Sequence, residues 1–170
     1  MKFTTRIKTK ELYQFLMMHS HAGFAGKIGP VMSIAAAVLF IKGIPTFEGN
    51  EMQMVIFAMC ALLFTVINPL MLYSKAKKQC LTNPAYKQDM EYELNEEGIK
   101  LYVGEQEGGI PWDRLFKIKE TKDLYILYTT RVNAFLWPKA ALGSQAAEIM
   151  DYVLAHIDRN VVSVPKGMRG

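Results

Sequence analysis

Four groups of residues in this chain have the type and spacing to do chemistry. His19 and His21 form a His-x-His pair, the minimum for two imidazole ligands on one metal. On a helix, residues two apart point to different faces, so the pair reads as polar residues beside a membrane and not as a metal site. Glu91, Glu93, Glu96 and Glu97 are numerous enough for acid–base or metal chemistry. Strand alternation, however, sends Glu91 and Glu93 to the solvent face opposite Met90, Tyr92 and Leu94, and leaves Glu96 and Glu97 in the turn that follows. Asp113 stands beside Trp112 and Arg114, where it can pair with the arginine or orient a turn. His156 lies three residues after Val153 on the apolar side of the last helical segment, the place of a satisfied or rim histidine. No serine sits in a G-x-S-x-G elbow and no glycine run has the P-loop form. Cys60 and Cys80 have neither metal-ligand spacing nor a disulfide-rich context, and read as apolar filler and a reduced cytosolic thiol. The expectation is a protein that is not an enzyme, with no catalytic residues, metal, cofactor or small-molecule substrate.

The elements that would have to position any chemistry are dominated by two apolar runs. Met52 to Tyr73 holds no charged residue, and about 20 apolar residues cross a bilayer core of about 30 Å. Upstream, the uncharged stretch Ile28 to Ile41 is short, but Lys27 and Lys42 can extend to the two interfaces, so that Phe24 to Ile44 spans the core and Pro45 stops the helix. The pair reads as a transmembrane hairpin over 22–73, with spans at about 24–44 and 52–73. Gly29, Ser33 and Ala37 recur every four residues and let a second helix approach closely, with Ala61 and Thr65 as the partner line. These small residues pack within the hairpin or, alternatively, join two copies of the chain. Asn68-Pro69 predicts a kink, because proline removes a backbone donor and frees the carbonyl of Thr65. The spans carry one amide and no buried acid or base, so a proton relay or ion cage is absent unless the chain assembles.

Orientation follows from the basic residues. Lys2, Arg6, Lys8, Lys10 and Lys27 precede the first span, and Lys75, Lys77 and Lys78 follow the second as an inner-surface anchor. The connector between them carries Lys42 against Glu48 and Glu51. This asymmetry predicts a multi-pass protein of the bacterial inner membrane with both termini cytoplasmic. The net charge of +4 largely reflects these clusters facing anionic lipid, so nucleic acid is not an expected partner. No signal peptide fits, since the first apolar segment begins after a long amphipathic stretch and has no small-residue cleavage pattern behind it.

Around the hairpin the period changes. KFTTRIK alternates like a strand, and Thr9 can cap a helix carrying Leu12, Phe15, Leu16 and His19, so 1–21 reads as a cytoplasmic strand and amphipathic helix. Residues 74–86 read as a basic linker. From 87 to 160, short alternating runs are punctuated by NEEG, EQEGG, TKD and a polar break before NAFLWP, which predicts an antiparallel meander. Ser144 is placed as the N-cap of a closing helix with Glu148 in its first turn and Ile149, Val153 and Ile157 on one face; 161–170 is a tail. Such a meander is small for a domain, and the N-terminal strand, on the same side of the membrane, is available to pair with its open edge.

The order of a short strand and helix, a two-span hairpin, a basic exit, IPWDRLFKIKETKDLYILYTT and NAFLWPKAAL resembles the YcxB-like family of small bacterial membrane proteins over nearly the whole chain. The resemblance implies a pleckstrin-homology-like (PH-like) C-terminal domain, a strongly bent sheet closed by a helix, and supplies no catalytic residues to carry over. The expected fold is therefore membrane α+β: a two-helix transmembrane hairpin and a cytoplasmic antiparallel PH-like sheet domain closed by a C-terminal helix. Many such domains bind phosphoinositides through a basic first turn, but LNEEGIK is acidic. Lys117, Lys119, Lys122 and Arg131 form a basic edge that is either an ordinary solvated face or a contact with anionic lipid at about 1 kcal/mol per residue. The functional expectation is a membrane-anchored cytoplasmic adaptor. It engages a protein partner through a sheet edge or the groove beside the closing helix, or forms a homo-oligomer, with Trp112, Tyr125, Phe135 and Trp137 as interaction anchors that also suit a core. The alternative is a regulatory or structural subunit of a transport or envelope-stress complex acting through the hairpin.

Overall fold

The computed structural model describes residues 1–44, 49–158 and 162–165. The stop assigned to Pro45, Glu48 of the connector, the end of the domain at 159–160, and 161 and 166–170 of the tail lie outside the described residues. The chain forms two compact units, Tyr13–Lys78 and a second made of Met1–Leu12 with Gln79–Gly170.

Helix α1 (Thr9–Ser20) runs into the first unit. At its start the Glu11 carboxylate accepts from the Lys8 backbone N–H at 3.1 Å, half of a capping box. Helix α2 (Phe24–Gly43) has 20 residues, about 30 Å at 1.5 Å rise per residue. The return path is continuous helix: α3 (Glu51–Leu62), a π-helical turn (Leu63–Ile67) and α4 (Asn68–Thr82). By length and composition both paths are long and apolar enough to cross a membrane. The kink expected at Asn68-Pro69 takes the form of the π turn. Pro69 has no N–H to give and its ring crowds the carbonyl of Thr65, so the ladder widens ahead of it and the Asn68 N–H bonds Leu63, five residues back. The Thr65 hydroxyl donates to the Ala61 carbonyl at 2.5 Å. Residues 74–82, expected as linker, are helical as well: Lys, Ala, Gln and Leu favour helix, and the first breaker is Asn83-Pro84. There Asn83 Oδ1 accepts from the Ala85 N–H at 3.0 Å and opens the short α5 (Pro84–Lys87).

In the second unit, β1 (Lys2–Thr5), β2 (Met90–Leu94), β3 (Gly98–Val103) and β4 (Gln106–Pro111) form an antiparallel sheet in that order. The N-terminal strand is an outer strand of this sheet, with Phe3 opposite Tyr92 and Thr5 opposite Met90. A 3-10 turn at Trp112–Arg114 leads into a second antiparallel sheet of β5 (Lys117–Glu120), β6 (Leu124–Tyr128) and β7 (Ala134–Pro138). The sheets meet through aromatic rings. Phe3 stacks on Tyr92 at 5.3 Å between centroids, and Trp137 of β7 meets Phe3 edge-on at 5.0 Å and Tyr92 at 5.5 Å. After α6 (Lys139–Leu142) and a 3-10 turn (Gly143–Gln145), helix α7 (Ala146–His156) buries Ile149, Met150, Val153 and Leu154. Ser144 does not cap it. The chain turns at Gly143 with φ of +56°, a conformation suited to glycine, and Ser144 is thereby held inside the 3-10 turn, with Gln145 as the residue before α7.

Two outcomes are expected from this architecture. The double variant Thr4→Cys/Glu91→Cys, a directly opposed and exposed pair, forms an intramolecular disulfide under oxidation, whereas Thr4→Cys paired with a cysteine at Gly108 does not; thiol titration reads both. Trp137→Ala, at a fully buried position, costs about 3–5 kcal/mol in denaturant unfolding of the sheet unit.

Candidate functional site

In the hairpin unit Gly29 and Ser33 lie where α2 meets the return path. Gly29 and Ser33 are buried, and a Cβ on Gly29 would fall 2.4–2.8 Å from the ring of Phe64. The Ser33 hydroxyl donates to the Cys60 carbonyl at 2.8 Å, which satisfies it in apolar surroundings. Ala36 is buried and Ala37 half-buried. The partner line differs from the expected one. The Cys60 carbonyl and the Phe64 ring meet Ser33 and Gly29, while Cys60 itself is exposed, Ala61 is half-buried and Thr65 is exposed with its hydroxyl returned to its own helix. An aromatic ring in place of a second small residue fills the gap left by Gly29. Lys75, Lys77 and Lys78 are exposed along α4.

The histidines do not converge. His21 Nδ1 donates to the Met17 carbonyl at 2.8 Å, while the His19 ring stacks on Phe15 at 5.9 Å. His156 Nδ1 donates to the Tyr152 carbonyl at 2.8 Å, and its ring lies 4.2 Å from Tyr152 and 5.4 Å from Trp112. No group of three or more His, Cys, Asp or Glu residues suited to a metal occurs among the described residues.

The carboxylates form a cross-strand charge ladder. Glu93 sits between Lys2 of β1 and Lys100 of β3; Lys2 Nζ lies 3.3 Å away and the Tyr102 hydroxyl donates to it at 3.3 Å. The hydrogen bond from Lys2 is the main reason its carboxyl titrates below the usual 4.5. Glu91, Glu96 and Glu97 are exposed, and Asn95 Oδ1 closes the turn by accepting from the N–H groups of Glu97 and Gly98. An open groove of about 390 Å³ runs beside this ladder, lined by Ile99, Lys100, Glu107, Gly108, Gly109 and Ile110. Its lining sets Lys100 against Glu97 and Glu107 and includes no His, Cys, Ser or Thr side chain. Asp113 and Arg114 are both exposed, and among the described residues no ion pair joins them.

Of the four aromatic residues expected as anchors, Trp112, Tyr125 and Trp137 are buried in the core and Phe135 lies at its margin. Trp137 is fully buried between the sheets, Tyr125 and Trp112 are buried and Phe135 is half-buried. Trp112 Nε1 donates to the Asn95 carbonyl at 3.0 Å, and Lys139 lies 4.7 Å over the Tyr125 ring while paired to Glu120. Inward-facing aromatic positions on two facing sheets are the largest apolar surfaces available, so burial claims them first. What the sequence did not disclose is the polar lining of that core. Burial pushes the Tyr92 phenol well above the usual tyrosine value, outweighing the opposing effect of Trp137 and Thr5 beside it. Thr5 Oγ1 and Trp137 Nε1 are buried without a hydrogen-bond partner.

The molecule is thus a helical hairpin of membrane-crossing length joined to an antiparallel two-sheet unit closed by a helix. Residues 94–153, from the last residue of β2 into α7, match the family model described as YcxB-like protein. It is also 28% identical over 119 residues to "Uncharacterized protein YcxB" of Bacillus subtilis (strain 168), a match covering 66% of this chain and 64% of that protein. The chain therefore matches somewhat less than two thirds of the length of that relative. No solved structure matches.

Gly29→Leu is expected to lower the thermal midpoint of the detergent-solubilised protein by driving the leucine into Phe64, at a cost of about 1–3 kcal/mol, and Phe64→Ala to restore much of it. Glu93 contributes its stability above the unfolded carboxyl value of 4.5 and loses it as pH falls through the lower folded value. The acid limb of the stability–pH curve of Glu93→Gln should accordingly be flatter there than that of the wild type.

Proposed function

We propose that the protein is a membrane-anchored adaptor without enzymatic activity, in which the hairpin crosses the inner membrane with both termini cytoplasmic and the two-sheet unit engages a protein partner. The observation that carries this reading is the apolar surface of the hairpin unit. Phe24 is 83% exposed, Met52 75%, Met59 65% and Met71 65%, and side chains of this kind left in water forfeit about 25 cal/mol per Å². A bilayer supplies the missing cover, and the basic residues Lys75, Lys77 and Lys78 at one end suit an anionic inner leaflet.

The sheet unit supports the second half of the reading. Two antiparallel sheets of four and three strands followed by a helix are compatible with the bent sheet and closing helix that the PH-like resemblance implies. With Trp112, Tyr125 and Trp137 used in the core, recognition falls to backbone edges, which bind extended segments by strand addition. The π turn ahead of Pro69 favours a second reading, a membrane-complex subunit worked through the hairpin, because such turns often mark functional positions in helices.

In-membrane crosslinking and affinity purification at native level, with the hairpin alone as control, test the proposal. A partner that is lost with the sheet unit is the expected result. Recovery of only hairpin-dependent partners, or loss of function in Asn68→Leu with insertion intact, overturns it in favour of the subunit reading. Cys80 should react with an impermeant maleimide in inverted vesicles and not in intact spheroplasts; the opposite pattern would reverse the topology.

A further inference from the structure

Edge strand β5 is already paired on its outer side, by Ser163 of the chain itself. The Ile118 N–H donates to the Ser163 carbonyl at 2.8 Å and the Ser163 N–H to the Phe116 carbonyl at 3.5 Å, the two bonds of a parallel bridge centred on Lys117 and Ser163. Val162 and Val164, on either side, are buried at 4% and 5% exposure, whereas Ser163 is exposed. The segment therefore seats as a strand does, with alternate side chains inward, and the Val162 N–H is bonded to the Asp158 carbonyl at 2.8 Å.

The pairing stops after one rung for a chemical reason. In a parallel ladder the next rung requires the N–H of residue 165 to reach the Ile118 carbonyl. Residue 165 is proline and has no N–H. Strand β5 continues to Glu120, so its outer edge extends beyond the part that the chain's own segment can pair. An aliphatic-x-aliphatic segment fits this edge, and the one present is denied its next hydrogen bond by its own sequence.

We propose that the outer edge of β5 is the docking edge for a protein partner, which supplies an extended segment parallel to β5 with two aliphatic residues in the places of Val162 and Val164 and a non-proline residue in the place of Pro165, displacing residues 162–165. This rests on the adaptor reading above and names the surface and partner chemistry that it leaves open. The apolar positions are provided by the two valine seats. The incoming chain gains the rung that Pro165 lacks.

Two measurements on the full chain in nanodiscs test the edge directly, without an unidentified partner. In Pro165→Ala the missing donor is restored, and the Ile118 amide should exchange with deuterium roughly twofold to tenfold more slowly, the range expected for one added hydrogen bond; unchanged or faster exchange overturns the ladder argument. The second uses a labelled synthetic peptide of residues 160–167 with alanine in place of Pro165. It should bind the Val162→Asp/Val164→Asp chain roughly tenfold or more tighter than the wild type, in which the resident segment competes, as expected when the displaced interactions are worth more than about 1.4 kcal/mol. The same peptide with aspartate at both valine positions should not bind. Equal binding to both chains, or none to a variant that keeps the exchange protection of Ile126 and Leu127, overturns the proposal. Should that variant not fold, the wild-type chain and saturating peptide carrying a photoreactive group at the Ser163 position decide: crosslinks to β5 are expected, and their absence overturns it. A negative result here together with a sheet-dependent partner in crosslinking rejects this edge alone, whereas loss of the sheet-dependent partner rejects the adaptor reading.

Discussion

The contact of Phe3 with Tyr92 and Trp137 is the constraint on which the sheet unit depends. Phe3 lies more than eighty positions before Tyr92 in the chain, with the whole hairpin between them. Without β1, the ring of Tyr92 and one face of Trp137 would lose their cover, and sheet one would end in an open β2 edge. With it, the two sheets share an aromatic seam that also takes in Phe135, 5.8 Å from Tyr92. The hairpin is therefore an insertion within a domain whose first strand and remaining strands must both be present before the core closes. The seam also explains why Thr5, Tyr92 and Trp137 carry buried polar atoms: ring size filled the space, and the hydroxyls and indole nitrogen came with it.

The same residue types serve opposite purposes in the two units. Leucine, isoleucine and methionine in the sheet unit point inward, as Leu94, Ile118, Leu127 and Met150 do, and are buried. In the hairpin unit Met32, Ile34, Met59 and Leu70 point outward and are exposed, while small residues take the inside. This inversion is what a hydrocarbon solvent permits, since lipid tails give no hydrophobic drive between helices and close packing of small residues holds them instead. Polar groups within the hairpin are accordingly few and locally satisfied, as with the hydroxyls of Ser33 and Thr65.

Charge in the sheet unit is spent on edges and faces. Glu93 is held between strands by Lys2 and Tyr102, Arg6 pairs with Asp89, and Lys10 with Asp123. These are surface pairs, screened by solvent and individually weak, and they tie the N-terminal segment to the later chain. The chemistry of the unit resides in its backbone edges, where hydrogen-bond donors and acceptors are arranged by strand pairing.

Local patterns carried much of the fold. The uncharged run from Met52 to Tyr73, the alternation of Met90, Tyr92 and Leu94, and the turn signals at NEEG and TKD identify helices and strands because hydrophobic period and turn chemistry are properties of neighbouring residues. The spacing of Gly29 and Ser33 likewise marked a helix contact. The partners were not legible. That Phe64, not Thr65, meets Gly29 depends on helix rotation; that Ser144 is no cap depends on the turn made at Gly143; that Trp112, Tyr125 and Trp137 are core depends on which face of each strand another sheet covers. The pairing of β1 with β2 and of Ser163 with β5 joins residues far apart in the chain, and nothing in the local sequence encodes the register. The sequence by itself determined which segments are helical, which extended, and which apolar enough for a bilayer. Only the tertiary structure decided what each face is buried against, because burial is a relation between segments and not a property of either one.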